Sequence, residues 1–148
     1  MEQVSWKGIQ QFIKKLNSRT GKRFRLPTEA EWEYACREGG RKVRYCHGKD
    51  EASKASINYK GSKTKPGASF SPNSLGLYDM SGNVAEWTCS QYKESCDGSE
   101  QKCSVSARKY SLRGGSWYNG PGCVRAADRY DNFPAYRFSD VGFRLAQD

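Results

Sequence analysis

The sequence predicts an α+β domain in which two amphipathic helices come first and short antiparallel strands follow between long loops. Three observations carry this. Residues 5–36 hold two helical apolar patterns with matching caps, and residues 41–73 keep neither a 3.6-residue nor a two-residue period. From Leu75 onward, short strand-like pieces alternate with turn residues. A length of 148 residues fits one domain, 1–148, and four Trp, nine Tyr and six Phe allow a few large rings to fill its core.

Each element follows from its residues. Ser5 is an N-cap, Ile9, Phe12, Ile13 and Leu16 form one stripe at helical spacing, and Gly21 supplies the stop. Phe24-Arg25-Leu26 reads as a short extended piece ending at Pro27. Thr28 and Glu31 make a capping box for a second helix with Trp32, Ala35 and Cys36 on its inner face, closed by Gly39-Gly40. Residues 41–73 read as ordered loop, and a loop of that length in a small domain is functional or pinned, for instance by an ion. The strand candidates are Leu75–Tyr78, Val84–Trp87, Ser111–Arg113 and Val141–Leu145, where Phe143 and Leu145 alternate with polar neighbours.

Charge and cysteine content narrow the function classes. Lys and Arg number 25 against 16 Asp and Glu, a net +9 that favours anionic partners of many kinds. The cations are scattered and no helix-turn-helix, zinc-finger or RNA-recognition signature accompanies them, so nucleic acid is not the expected partner. No apolar run approaches a bilayer span, and membrane insertion is not expected. Six cysteines without a CxxC pair, beside a single His47, argue against structural zinc. Cys96 and Cys103 flank a polar loop that a disulfide between them would close, which implies an oxidising compartment; reduced, partly buried thiols are the other reading. His47 is expected at the surface or in a hydrogen bond.

Six motifs then occur in a recognisable order: Val4-Ser5-Trp6, Arg25-Leu26-Pro27-Thr28-Glu29-Ala30-Glu31-Trp32-Glu33-Tyr34-Ala35, Gly76-Leu77-Tyr78-Asp79-Met80, Gly82-Asn83-Val84-Ala85-Glu86-Trp87, Arg113-Gly114-Gly115-Ser116-Trp117 and Gly142-Phe143-Arg144-Leu145. Together they resemble the formylglycine-generating-enzyme, or sulfatase-modifying-factor, family over nearly the whole chain. The resemblance implies a C-type-lectin-like fold. It also implies a calcium loop with carbonyl ligands at Ser81, Gly82 and Val84 and the carboxylate of Glu86; a second family calcium site, beginning near Asn58, runs into a shortened segment. The family's oxidase chemistry uses copper on two thiolates, separated by four residues just after Gly-Gly-Ser-aromatic. Counted from Trp117, those positions fall at Asn119 and about Val124, with only Cys123 nearby, so neither copper nor a catalytic residue is expected. Related sulfoxide synthases use a His-rich iron site, which a chain with one histidine does not supply.

Residues 118–140 differ in composition from the rest. They contain no Lys, Glu, Gln, Met or Trp, and every residue type present can be written by a codon ending in a pyrimidine. This resembles the hypervariable segment of diversity-generating retroelement variable proteins, in which adenines of Asn codons are randomised. The implied frame is Trp117, Pro121, Arg125-Ala126-Ala127, Arg129, Pro134, Arg137 and Gly142-Phe143. The implied ligand-binding positions are Tyr118, Asn119, Gly120, Cys123, Asp128, Tyr130, Asp131, Asn132, Phe133, Tyr136, Phe138, Ser139 and Asp140. Aromatic rings interleaved with Asn, Asp, Ser and Gly make a paratope-like mixture. The expectation is a non-catalytic binder of a protein or other macromolecular surface; localisation stays open, with a cell surface, a virion and secretion as candidates. An oxidase acting on a cysteine-containing peptide and a salt-sensitive binder of anionic polymers are the alternatives.

Overall fold

The computed structural model describes residues Met1–Asp148. Helix α1 spans Trp6–Thr20; the Ser5 hydroxyl accepts the Gly8 N–H, and Gly21 closes the helix in the left-handed region at φ 68°. Strand β1, Phe24–Arg25, follows at once because the Asn17 side chain both donates to and accepts from the Phe24 backbone. Helix α2, Glu29–Cys36, carries the full reciprocal capping box of Thr28 and Glu31, and ends at Cys36 rather than at Gly39.

Strands β2 (Ala85–Gln91), β3 (Tyr110–Arg113), β4 (Arg129–Asn132) and β5 (Val141–Phe143) form one sheet in the order β4-β3-β2-β5. The sheet is mixed: β5 runs parallel to β2, where antiparallel strands were expected throughout. Strand β6, Ala146–Gln147, pairs with β1 and ties the last residues to the segment after α1. Leu75–Tyr78 is not a strand, because the Asn73 carboxamide accepts the Leu75 and Leu77 N–H groups and turns the chain. Strand β4 was not foreseen, since its residues, Arg-Tyr-Asp-Asn, carry no β-branched side chain.

Alternation sorts the side chains between two layers. Ala85, Trp87, Cys89, Tyr110, Leu112 and Val141 pack on one face with Ile9, Ile13 and Leu26. The other face turns Glu86, Thr88, Ser90, Ser111 and Arg113 toward α2, and there the interior is polar. Glu29, 1% exposed, accepts from Ser111, Arg113 and Arg129, while Arg113, 0% exposed, also donates to Glu33 and to the Ala126 carbonyl. Burial alone would raise the Glu29 pKa; the hydrogen bonds from Arg129 and Ser111 and the two guanidinium charges reverse this and hold it below the ordinary value.

The long loop of residues 41–73 is pinned by protein contacts. Cys36 and Cys46 form a disulfide at its start, Asn58 bonds Asn83, and the Asn83 side-chain oxygen Oδ1 accepts the Lys65 N–H. A second disulfide joins Cys89 to Cys103, so the Cys96–Cys103 pairing is corrected: Cys103 is held beside β2, where Ser104 N–H bonds the Cys89 carbonyl, and Cys96 and Cys123 stay free. The half-buried His47 has both ring nitrogens shielded from solvent, and burial, followed by the Lys49 charge, lowers its pKa.

Two of these groups set an acid limit. The side-chain hydrogen bond from Arg25 lowers the Glu31 pKa to about 2, from an ordinary 4.5, and Glu29 is lowered as well. A carboxylate with a depressed folded-state pKa adds stability that is complete above its unfolded value and disappears as pH falls through the folded value. The melting temperature should therefore fall steadily between pH 4.5 and about 2, beyond the smaller loss that the lowered His47 pKa adds below 6.5. A midpoint independent of pH across that window would contradict the network.

Candidate functional site

The chain from Ser116 to Asp140 leaves β3, makes a short 3-10 turn at Pro121–Cys123, returns as β4 and loops to β5. All thirteen candidate positions lie along it, and none is fully buried. The expected frame includes residues that are: Ala126 accepts from Arg113, and Gly142 abuts the Met1 carbonyl, which a Cβ would meet at 2.5 Å. Frame residue Arg129 belongs to the Glu29 network.

The candidates divide by what they touch. Asn119 accepts from the Ser116 N–H, and the single Ser116 hydroxyl proton is shared between the Asn119 side-chain oxygen at 3.0 Å and Asp140 at 2.9 Å, so these two shape the turn after Trp117. Asp128 clamps the Arg125 guanidinium at 2.6 and 3.0 Å. The Tyr130 hydroxyl donates to the Cys123 carbonyl, and burial, followed by the neighbouring Cys123 thiol, raises its pKa. Asp131 pairs with Lys109 at 2.6 Å, and Asn132 caps the Phe133 N–H. Gly120 has extended backbone and open space beyond a distant Lys60 methylene, so a side chain fits there. Cys123 and Ser139 are exposed.

The remaining candidates are rings. Tyr118, Tyr136 and Phe138 are 73%, 50% and 43% exposed. Phe133, Tyr136 and Phe138 form a chain of tilted and edge-on contacts, with centroids 5.4 and 6.0 Å apart. Their loop is held from behind: Gln3 N–H bonds the Phe138 carbonyl and Lys7 N–H the Pro134 carbonyl. Beside the rings is an open depression of about 250 Å³, floored by Ala85, Leu112 and Val141 and rimmed by Asn119, Tyr130, Asn132, Phe138 and Asp140. An apolar floor inside a polar and aromatic rim is the anatomy of a binding surface. The sequence pointed to the rings; the depression comes from pairing β4 to β3, which composition did not reveal.

The calcium reading meets an obstacle. The Glu86 carboxylate accepts the Trp32 indole N–H on one oxygen and is gripped by Arg144 through both, at 2.5 and 2.8 Å. Ser81 turns its hydroxyl to the Cys46 N–H, and the Gly82 N–H bonds the Gly114 carbonyl. The Arg144 guanidinium thus competes with a cation for Glu86, the one charged member of the set Ser81, Gly82, Val84 and Glu86. The position expected for the second thiolate of a copper pair, Val124, is fully buried against Tyr45 and Ile57.

Helix pair, mixed sheet and long pinned loops define a C-type-lectin-like domain of the formylglycine-generating-enzyme type. Residues 1–148 match the Sulfatase-modifying factor enzyme 1-like domain, and the chain belongs to that family. Among curated relatives it is 38% identical over 151 residues to serine/threonine-protein kinase pkn1 of Chlamydia caviae, covering 97% of this chain and 23% of that protein. It is 35% identical over 147 residues to the formylglycine-generating enzyme of Mus musculus, covering 84% of this chain and 39% of the enzyme. The chain thus spans less than half the length of these relatives. Among solved structures, Treponema denticola variable protein 1 superposes with a TM-score of 0.88 at 28% identity, covering 98% of this chain and 69% of that one.

Proposed function

We propose that this domain is a non-catalytic binding module whose face is the aromatic loop and depression between β4 and β5, and that residues 118–140 are its diversified segment. The observation that carries the reading is the group Phe133, Tyr136 and Phe138, partly exposed yet fixed to a rigid framework by backbone bonds to residues 3 and 7. Rings of low conformational entropy, pre-organised before contact, concentrate binding energy. Likeness to a variable protein of the same fold supports the assignment. So does the solvent access of all thirteen positions, set beside the anchors Ala126 and Arg129 in the buried ion network. The absence of a thiol partner for Cys123 at positions 119 and 124 weighs against the family's copper chemistry. Two disulfides suit an oxidising location, where a macromolecule on a cell or virion surface would be met.

The test pairs genetics with binding. Sequencing the encoding locus should reveal a near-copy of the 118–140 coding segment that differs almost only at adenines. On an array of surface proteins, binding by the intact domain should drop roughly a hundredfold when Tyr136 and Phe138 are both changed to Ala, at an unchanged melting temperature. Equal binding by the double variant, or copper-dependent turnover of a cysteine peptide, would overturn the proposal. Binding that collapses with salt and ignores the double variant would favour the anionic-polymer reading instead.

A further inference from the structure

We propose that β4 is a docking edge: the partner adds an extended peptide segment to the sheet as a fifth strand beside Arg129–Asn132. This rests on the binding face described above and specifies the chemistry of its occupant. Ala85 N–H donates to the Asp140 carbonyl, so odd-numbered residues at the start of β2 direct their backbone groups to β5. Neighbouring residues of a strand point their N–H and C=O groups to opposite sides. Glu86 therefore bonds across to its partner Arg113, Leu112 turns the other way to its partner Tyr130, and Tyr110 does the same with Asn132. The N–H and C=O groups of Arg129 and Asp131 are left pointing away from the sheet. No backbone or side-chain group bonds them, and β4 ends the strand order with nothing paired outside it.

An unpaired edge is a template for another main chain, and soluble proteins ordinarily blunt one with proline, bulges or a covering element. Here the edge is instead flanked by a recess on each face of the strand. On the side of Tyr130 and Asn132 lies the depression of about 250 Å³ with its apolar floor. On the side of Asp131 lies a polar cleft of about 390 Å³ lined by Tyr92, Lys93, Glu94, Arg108 and Lys109. Within the cleft, Lys93 is paired with Asp97 and Lys109 with Asp131, whereas the exposed Arg108 has no carboxylate partner and lies 5.9 Å from the Phe133 ring. A peptide strand alternates its side chains between faces. The segment that fits therefore carries, on the face of Tyr130 and Asn132, a large apolar residue long enough to lean inward across them to the depression, whose floor lies on β2, β3 and β5, and, on the neighbouring position, an acidic residue toward Arg108. Main-chain pairing supplies affinity in this mode and the two recesses supply selection.

The probe is a panel of synthetic peptides of about six residues, the ordinary length of a strand, alternating aromatic and acidic positions. Each is compared with copies N-methylated on one or the other set of alternate residues. Binding is read by amide exchange and chemical shifts of the whole domain. The expected result is protection of the Arg129 and Asp131 amides, with roughly tenfold or greater loss from N-methylation on one set only, the scale of a lost main-chain hydrogen bond. Asp131→Pro removes an outward N–H without touching the ladder, and Asp131→Ala removes the same carboxylate but keeps the N–H. The proline variant should lose at least about tenfold more peptide affinity than the alanine variant.

Peptides that bind indifferently to N-methylation, or that protect no β4 amide, overturn strand addition while leaving the aromatic face as a binding site. Failure of every peptide overturns it as well; the array experiment with Tyr136 and Phe138 decides the broader reading separately. Protection of Asp131 in the protein alone, with a concentration-dependent dimer, would show that a second copy occupies the edge, and the partner-strand proposal would fall.

Discussion

Glu29→Gln is expected to cost about 3–5 kcal/mol of folding stability, the scale of removing one member of a buried ion network. The carboxylate sits 3.1 Å from the Arg113 guanidinium and 2.6 Å from that of Arg129, and it is the one anion that both share. Glutamine keeps the shape and can still accept a hydrogen bond, but it leaves Arg113 fully buried with only the partly exposed Glu33 to oppose its charge. Chemical denaturation gives the measurement. A loss below about 1 kcal/mol would mean that the network is screened like a surface pair. The functional consequence is specific, because Arg129 begins β4 and Ala126, held by Arg113, precedes it. A weakened network should therefore raise exchange rates of β4 amides before those of α1.

Gly115→Ala is expected to cost about 3 kcal/mol or more, by two mechanisms that add. The residue sits at φ 62°, where an L side chain is strained by about 1–2 kcal/mol. Its Cβ would also lie 2.3 Å from the Cys123 carbonyl oxygen and 2.9 Å from Val124, atoms of a packed turn with no freedom to recede, an overpacking that costs a further 1–3 kcal/mol or so. The turn must move, and it carries Cys123, whose carbonyl receives the Tyr130 hydroxyl at the rim of the depression. Thermal denaturation together with the fluorescence of Trp117 would report both effects. An alanine variant with wild-type stability would show that the 116–124 turn is plastic, and that the rim is not held from below.

Much of the framework was legible because it is written in local rules. The Ser5 cap and the Thr28–Glu31 capping box depend on residues within a few positions of one another and appear in the fold as read; of the stripe Ile9, Phe12, Ile13 and Leu16, Ile9 and Ile13 are buried while Phe12 is exposed. The rings of residues 133–138 were legible as a group because aromatics beside turn formers cannot all be buried. Strand β4 was not, since an edge strand of Arg, Tyr, Asp and Asn gains its conformation from pairing with β3 and from the Glu29 anchor. The partner of Glu86 was not legible either. The family motif marks it as a metal ligand, but its carboxylate is claimed by Arg144, 58 residues away in sequence.

The sequence by itself determined the family, the helices and their caps, the order of the main elements and the location of the aromatic segment, all of which depend on short-range spacing or on ordered motifs. Only the tertiary structure decided which cysteines pair, which carboxylates are neutralised and which strand edge stays open. Those outcomes depend on groups far apart in the chain meeting at distances of a few ångströms: Cys89 with Cys103, Glu29 with Arg129, Leu112 with Tyr130. Burial makes such meetings decisive, because an ion or a backbone dipole removed from water must find a partner wherever the fold provides one. On β4 the fold provides none for the outward backbone groups of Arg129 and Asp131, and that is the vacancy a partner strand would fill.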